Sequence, residues 1–172
     1  MIIMQILVAY ATRAGSTAEV AEVIGEVLRE TGALVDVQRL PFSGKLAEYD
    51  AVVLGAPLYM YKWHKDAKRF LRRSKGVLQA LPVAVFALGP FNDVEKEWND
   101  VRAQLDSALL EFPWLRVAAI KIFGGKYDPT KLTFPYSLIP AKRNIPVTDI
   151  RDWDDIRAWA AGLGGRFQGD ED

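Results

Sequence analysis

Residues Val8–Ile24 read VAYATRAGSTAEVAEVI and join an apolar segment to an amphipathic one through a loop rich in hydroxyl groups. The preceding run, Ile2–Ala9, is nearly continuous in apolar residues, which is typical of a strand covered on both faces. After the loop, apolar side chains recur at spacings of three and four and predict one buried helix face. The residues of that face are Val20, Ile24, Val27 and Leu28. This stretch therefore predicts a strand, a loop and a helix in direct succession.

The loop between strand and helix predicts an anion site. Its residues are Thr12, Arg13, Ala14, Gly15, Ser16 and Thr17. Hydroxyl groups and backbone N–H groups at the positive end of a helix dipole suit a phosphate. The lysine-bearing loop of nucleoside-triphosphate sites and the G-x-G-x-x-G fingerprint of dinucleotide sites are both missing here. A terminal monophosphate is therefore the expected ligand.

The same residues allow a second interpretation, in which Ser16 only caps the helix. Ser16 and Glu19 have the spacing of a capping box, in which the two side chains bond the first backbone N–H groups. Because capping and phosphate binding can share one sequence, the box leaves both interpretations open.

Composition excludes several classes of protein. The 172 residues include no cysteine and one histidine, His64, which excludes disulfides, thiolate catalysis and multi-histidine metal sites. No metal is expected. The 22 basic residues balance 22 acidic ones, so no global field favours nucleic acid. Without an apolar run of membrane-spanning length or a signal peptide, we expect one cytoplasmic domain over residues 1–172.

The rest of the chain alternates predicted strands and helices. Strands are predicted at 34–40, 51–55, 82–88 and 117–123, and the first of these alternates apolar and polar residues as an edge strand does. Helices are predicted at 65–75, at 94–110 and after Asp152. The expected inward side chains are Val94, Trp98, Val101, Leu105 and Leu109, then Trp153, Ile156, Trp159, Ala160 and Leu163. The glycines Gly162, Gly164 and Gly165 predict the end of the last helix and a frayed tail.

This alternation predicts an α/β fold of three layers, with a five-stranded parallel sheet and helices on both faces. The edge character of the second strand gives the order 2-1-3-4-5. Ligands of such sheets bind at the carboxyl ends of the strands where the order reverses. Three loops, at 12–17, 56–63 and 89–93, would meet there.

Two of these loops carry residues suited to a flat ligand. The candidates are Pro57, Leu58, Tyr59, Met60 and Tyr61 in one loop and Gly89, Pro90, Phe91 and Asn92 in the other. Exposed loops are usually polar, so aromatic groups at a crevice indicate a planar ring to stack on. The alternative is that these rings pack against neighbouring helices as a small additional core.

The spacing of Tyr10, Thr12, Gly15, Thr17, Ala21 and Ile24 resembles the phosphate loop of the flavodoxin-like FMN proteins. The resemblance implies a flavodoxin-like fold with FMN as cofactor. Residues 12–17 would then hold the phosphate, and residues 57–61 and 89–92 would flank the isoalloxazine. Gly124 and Gly125 would border the same mouth.

Within these proteins, residues 51–71, 123–129 and 149–160 are most similar to the branch of menaquinone-dependent protoporphyrinogen IX dehydrogenases of heme biosynthesis. This resemblance implies hydride transfer from a substrate to flavin N5 and reoxidation by a quinone or another carrier. The neutral charge favours such an oxidoreductase over a low-potential carrier. Two alternatives stay open: a flavodoxin-type electron carrier that serves a redox protein and has no small-molecule substrate, and a non-flavin binding module.

Two further features have open roles. His64 is a candidate proton shuttle near the predicted mouth, although a lone histidine there also suits a helix cap. Residues 126–147 contain four prolines and predict an irregular loop before the last helix. Their apolar and basic mixture suits peripheral membrane contact, a quinone or a partner protein, and equally an ordered loop that packs its own aromatic rings.

Overall fold

The computed structural model describes residues 2–59, 62–132 and 134–169 and contains a parallel sheet between two layers of helices. The strands are β1 (Gln5–Tyr10), β2 (Leu34–Arg39), β3 (Ala51–Tyr59), β4 (Lys62–Trp63), β5 (Val83–Leu88), β6 (Val117–Phe123), β7 (Lys126–Tyr127) and β8 (Thr148–Asp149). The main sheet has the order β2-β1-β3-β5-β6, and β4 pairs antiparallel with β3. Since β5 and β6 are the predicted fourth and fifth strands, the predicted 2-1-3-4-5 order is confirmed.

The helices are α1 (Ser16–Glu30), α2 (Lys65–Arg73), α3 (Lys75–Leu78), α4 (Glu95–Leu109), α5 (Pro140–Arg143) and α6 (Trp153–Gln168). Helices α1 and α6 pack on one face of the sheet, and α2 and α4 pack on the other. Alternate residues of β1 face the two layers, so Ile6 and Val8 contact the first layer and Leu7 contacts the second. Burial on both faces explains why the inner strands β1, β3 and β5 are nearly continuous in apolar residues.

Two predicted boundaries near the site are wrong. Strand β1 begins at Gln5, and Ile2 and Ile3 lie outside it with exposed side chains. Strand β3 continues through Tyr59 into a region predicted as a loop, because Pro57 still pairs with Leu88 of β5 and the strand then turns back into β4.

The predicted end of the last helix is also wrong. Helix α6 passes through Gly162 and Gly164 to Gln168 and ends at Gly169, which has a φ of +88°. The buried side chains of Leu163 and Phe167 explain the continuation, because their burial outweighs about 1 kcal/mol lost per glycine.

Three other helix predictions need correction. Trp153 is the first residue of α6 and remains 36% exposed, with its ring 4.7 Å from the guanidinium carbon of Arg151 rather than in the core. Val94 precedes α4 and is 51% exposed, so it does not extend the inward face of that helix. The predicted helix at 65–75 ends at Arg73, and the short helix α3 follows it.

Between β6 and α6 the chain forms only short elements, and we call residues 126–149 the crossover segment. Its longest helix is the four-residue α5, and β7 and β8 pair in a two-residue antiparallel ladder. Two single 3₁₀ turns, Pro129–Lys131 and Tyr136–Leu138, lie between them. In the described parts of the chain, we find no helix that is long and apolar enough to cross a membrane.

Candidate functional site

The loop after β1 is shaped by a side-chain hydrogen bond and a left-handed glycine. The backbone N–H of Gly15 donates to Oγ1 of Thr12 at 2.9 Å. Gly15 has a φ of +91°, a conformation that side chains with a Cβ rarely adopt, which explains the glycine at this turn. Helix α1 begins at the next residue, Ser16.

The capping box that the sequence allows does not form. Gly15, not Ser16, occupies the N-cap of α1, and within the described chain no side chain bonds the cap position. The carboxylate of Glu19 instead forms an ion pair with Arg151. The first-turn N–H groups of α1 are therefore not occupied by the box, and capping alone does not account for this loop.

A buried hydroxyl lies at the same helix start. Thr17 is fully buried, and its Oγ1 has no hydrogen-bond partner among the described residues. Leaving a buried hydroxyl unpaired costs about 1–3 kcal/mol, so such groups normally have a partner. A phosphate oxygen would provide one, next to the first N–H groups of the helix. The residues present thus fit the phosphate of a bound cofactor.

Four aromatic rings from different elements meet beside this loop. Tyr59 ends β3 and contacts Tyr136 of the crossover segment edge to face, with centroids 5.8 Å apart. Phe91 follows β5 and contacts Tyr127 of β7 in the same way at 5.4 Å. The crossover segment thus supplies half of this aromatic cluster, because it folds back over the carboxyl ends of the strands.

Two cavities adjoin the aromatic cluster and share Tyr59, Phe91 and Tyr127 as walls. The narrow cavity, of about 60 Å³, lies beside the loop after β1, and Leu132 and Tyr136 of the crossover segment are among its walls. The wide cavity, of about 570 Å³, has the size of a small-molecule site. Its walls are Leu58 and Tyr59, residues 89–92, the α4 residues facing it, and Tyr127, Lys142, Ile145 and Thr148 of the crossover segment.

Two cations contact the rings of Tyr59 and Tyr136. The guanidinium carbon of Arg13 lies 4.6 Å from the Tyr59 centroid, and Nζ of Lys142 lies 4.4 Å from the Tyr136 centroid. The ammonium of Lys142 also donates to the Tyr59 hydroxyl at 3.2 Å, and the Tyr127 hydroxyl donates to the Lys142 carbonyl at 2.6 Å. Burial raises the pKa of Tyr127, so its hydroxyl remains a donor at neutral pH. These contacts join the phosphate-type loop to the crossover segment.

The loop after β5 is held by α4 and by β6. The backbone N–H and Nδ2 of Asn92 both donate to the Glu97 carboxylate, at 3.2 and 3.0 Å. The Gly125 N–H donates to the Pro90 carbonyl at 2.8 Å. A Cβ on Gly124 would lie 2.1 Å from the Ile150 carbonyl oxygen, so only glycine fits that close approach.

His64 caps helix α2. Its Nδ1 accepts a hydrogen bond from the Asp66 N–H at 3.2 Å. Burial lowers the pKa of the imidazole below its usual value of 6.5, although the Asp66 carboxylate opposes the shift. The ring is therefore neutral at pH 7, as its acceptor role requires. Proton transfer by His64 stays a prediction.

The structure brings most of the predicted site residues together. Arg13, Ala14, Ser16, Pro57, Tyr59, Phe91 and Gly125 line the narrow cavity. Leu58, Tyr59, Gly89, Pro90, Phe91 and Asn92 line the wide cavity. Thr12, Gly15 and Thr17 belong to the loop whose other residues line the narrow cavity, whereas Gly124 and His64 line neither cavity. The predicted positions Met60 and Tyr61 lie outside the described residues.

The sequence analysis did not place any residue of the crossover segment in the walls of the two cavities, and three of those that line them also belong to the aromatic cluster or contact it. These are Tyr127, Tyr136 and Lys142. The signal was present in the aromatic and basic mixture of residues 126–147, but an irregular segment gives no periodicity from which to place a side chain.

Comparison with known proteins agrees with this architecture. A short-chain flavodoxin associated with a bacterial microcompartment has 17% identity and a TM-score of 0.62, over 94% of this chain and 97% of its own. Flavodoxin 1 from Bacillus cereus has 21% identity and a TM-score of 0.55, over 98% and 99%. Rubredoxin oxygen:oxidoreductase from Desulfovibrio gigas has 14% identity and a TM-score of 0.56, over 95% of this chain but 36% of its own. These identities show the fold alone.

No curated protein sequence matches the chain. The family profile described as "Flavodoxin domain" matches residues 7–136, which include most of β1, the loop after it and both aromatic loops. This match covers most of the 172 residues. The cofactor of flavodoxin domains is FMN. Because the profile matches most of its length, the chain belongs to the flavodoxin-domain family and has its FMN-type redox fold.

Proposed function

We propose that this chain is an FMN-dependent oxidoreductase that acts on a small molecule and passes the electrons to a quinone or another carrier. The observation that carries the proposal is that the crossover segment contributes residues to the wide cavity. Tyr127, Lys142 and Ile145 of the crossover segment stand opposite the two loops expected to flank the flavin. A cavity of this volume suits a bound small molecule.

The charges around the narrow cavity favour an acidic group on the substrate. Arg13, Lys126 and Lys131 line the narrow cavity together with one carboxylate, Asp128. The wide cavity is lined by two lysines, Lys96 and Lys142, and by two carboxylates, Glu97 and Asp100. A planar or folded tetrapyrrole with carboxylate side chains, of the protoporphyrinogen IX class, combines the apolar surface and the acidic groups that these walls suit. That substrate is part of the proposal, together with a role in heme biosynthesis.

Each group of residues has a distinct task in this proposal. FMN, when bound, supplies the two-electron chemistry. The Thr12–Thr17 loop would hold the phosphate, and Tyr59 and Phe91 would flank the ring and keep it in one orientation. The crossover segment would exclude water from the chamber, and the Lys142 ammonium would orient an acidic substrate group.

A quinone acceptor implies a position at a membrane surface. Phe134 and Leu138 expose apolar side chains, at 78% and 65%, and Lys142 and Arg143 follow them in the chain. Apolar and basic side chains on one short segment suit peripheral contact with an anionic bilayer. We include this contact in the proposal as the route to a lipid-soluble quinone.

The second candidate is an electron carrier. This candidate is favoured because the alignment covers 97% and 99% of the two flavodoxin chains. A chain that matches flavodoxins over nearly their whole length has little room for an added substrate domain. In that case reduced flavin would exchange electrons with a redox protein, and small molecules would not turn over.

One experiment separates the two candidates. Purified protein loaded with FMN is mixed anaerobically with protoporphyrinogen IX, and menaquinone is then added while flavin absorbance is followed. Bleaching by the substrate and recovery with the quinone would support the oxidoreductase. If the flavin is bleached only by a reductase protein, the oxidoreductase is excluded and the electron carrier is supported. Lys142→Ala should raise the KM for the substrate more than it raises the dissociation constant of FMN. Arg143→Ala on the same short helix is the matched control.

A further inference from the structure

A third cavity, of about 340 Å³, adjoins the narrow cavity. The two cavities share the walls formed by Arg13, Tyr59 and Tyr136, and residues 62–65 supply further walls of the third one. Its volume lies within the range of small-molecule sites. We call it the basic cleft, because its described walls include three cations and no carboxylate.

The cations of the basic cleft have no acidic partner. Within the described part of the chain, Arg13, Lys62 and Lys65 form no ion pair. In the next turn of α2, by contrast, Lys68 pairs with the Glu111 carboxylate. Since the chain as a whole has 22 basic and 22 acidic residues, the positive charge here is a local excess. A cleft with walls of one charge sign concentrates small ions of the opposite sign.

His64 adds a neutral hydrogen-bond donor to the wall of the basic cleft. Its side chain is 10% exposed, and its Nδ1 accepts the Asp66 N–H. A neutral imidazole that accepts at Nδ1 carries its proton on Nε2, and this N–H has no partner among the described residues. The basic cleft therefore contains a buried donor that is available to a ligand.

The electrostatics at His64 agree with an excess of positive charge. Burial is the main cause that lowers the pKa of His64, and the Asp66 carboxylate opposes this shift. The charges of Arg13, Lys65 and Arg39 lower the pKa further, so the field of three cations acts on the imidazole. A field that disfavours a positive imidazolium stabilises an anion at the same place.

We infer that the basic cleft binds the anionic group of a small molecule, a phosphate or a carboxylate, at a site separate from the loop after β1. The ammonium and guanidinium groups and the Nε2–H of His64 would donate to the anion. An anion would also stabilise Lys65 at the first position of α2, where the positive end of the helix dipole repels a cation. The inference does not depend on the proposed oxidoreductase, because Arg13, Lys62, His64 and Lys65 do not line the wide cavity.

The test uses His64 as a probe, because it is the one histidine of the chain and its imidazole protons are readily assigned in an NMR spectrum. FMN-loaded protein is titrated with sulfate and, separately, with oxalate, at an ionic strength held constant with chloride. Neither ion changes its protonation between pH 6 and pH 8. We expect a saturable shift of the His64 resonances and a rise in the pKa of His64, because a nearby anion favours the imidazolium. Saturation with sulfate alone would assign a phosphate group, and saturation with oxalate alone a carboxylate.

Charge-removing variants locate the bound ion. Lys62→Gln and Lys65→Gln should each weaken the affinity for the probe by about tenfold, the effect of one charge-assisted hydrogen bond. Arg73→Gln is the matched control, because it removes the same charge at the other end of the nine-residue helix α2, about 12 Å away along its axis. This affinity should stay within about twofold of the wild type, since charges beyond about 8 Å are largely screened at physiological ionic strength. All three side chains are exposed, so the variants should fold.

Three results would overturn the inference. The first is a shift of the His64 resonances that never saturates with either ion or that chloride reproduces. The second is an equal loss of affinity in Lys65→Gln and Arg73→Gln, which would assign the response to net charge. The third is a saturable response in FMN-free protein that disappears when FMN is loaded, which would place the ion in the loop after β1. Failure of the proposed oxidoreductase would appear in the flavin-bleaching experiment and would leave these three outcomes unchanged.

Discussion

The ring of Tyr136 contacts the ring of Tyr59 edge to face, with centroids 5.8 Å apart and planes at 77°. This contact joins the middle of the crossover segment to the end of β3, where the flavin-side loop begins. Arg13 and Lys142 lie against both rings, so the cluster also ties the crossover segment to the loop after β1. The described residues of the crossover segment form no long helix or strand, and this cluster adds side-chain contacts to the two-residue ladder of β7 and β8.

Tyr136→Ala should loosen the crossover segment over the narrow cavity. The variant loses the aromatic pair and the cation contacts, each of about 0.5–1.5 kcal/mol. We expect faster proteolytic cleavage within residues 126–147 and an FMN dissociation rate raised by about tenfold, which corresponds to 1.4 kcal/mol. Phe134→Ala is the control, because that ring is 78% exposed in the same segment. Equal cleavage of the Tyr136 variant and the wild type would contradict the role of the cluster.

Thr17→Val should separate stability from cofactor binding. Valine keeps the shape of the buried side chain and removes a hydroxyl without a partner, so the free energy of unfolding of the FMN-free protein should rise by about 1 kcal/mol. FMN binding should weaken, because the phosphate loses that donor. Urea unfolding and FMN titration measure the two effects.

Thr12→Val should act differently from Thr17→Val. Oγ1 of Thr12 accepts the Gly15 N–H, so its loss leaves that loop without its internal bond. The free energy of unfolding should fall by about 1 kcal/mol, in contrast to the rise at Thr17. Changes of the same sign in both variants would contradict the hydrogen-bond pattern of the loop.

His64→Asn should reduce the loss of stability on acidification. The pKa of His64 is lowered in the folded protein, so the unfolded chain takes up the proton first, near pH 6.5. The stability that depends on neutral His64 is therefore present above pH 6.5 and is lost as the pH falls through the lowered pKa. Asparagine retains an acceptor for the Asp66 N–H but does not titrate. Urea unfolding from pH 8 to pH 5 should give a shallower pH dependence for the variant, and an unchanged slope would contradict the cap assignment.

Gly124→Ala should strongly destabilise the protein. The added Cβ would lie 2.1 Å from the Ile150 carbonyl oxygen, a backbone atom that cannot move without shifting the strand end. The expected loss is about 3 kcal/mol, the upper part of the range for overpacking. Gly76→Ala in α3 is the control, because its Cβ would meet nothing within 4 Å and alanine favours helix. Thermal unfolding distinguishes the two, and similar midpoints would disprove the close approach.

The main elements of the fold could be predicted from local patterns. The apolar runs of β1, β3 and β5 require cover on both faces of the sheet, and the repeats at three and four residues in α1 require one buried helix face. Periodicity therefore indicates a parallel sheet between helices. The alternation in β2 marked it as an edge strand, and the strand order followed. The predictions that rested on a single residue type were the weaker ones. The glycines of α6 suggested an early helix end because sequence reasoning had no measure of the packing of Leu163 and Phe167.

The candidate site shows the same distinction between local contacts, which could be predicted, and contacts between distant segments, which could not. The loop from Thr12 to Thr17 is local, since its donors depend on the geometry of one strand, one turn and one helix start, and its sequence was enough to predict an anion site. The partner of Glu19 is not local, because the Arg151 guanidinium that binds its carboxylate lies 132 residues further along the chain. The same holds for Tyr136 and Lys142, whose irregular segment has no periodicity. Contacts within one turn are set by neighbouring residues, whereas contacts between distant segments are set by how the whole sheet and its helices pack.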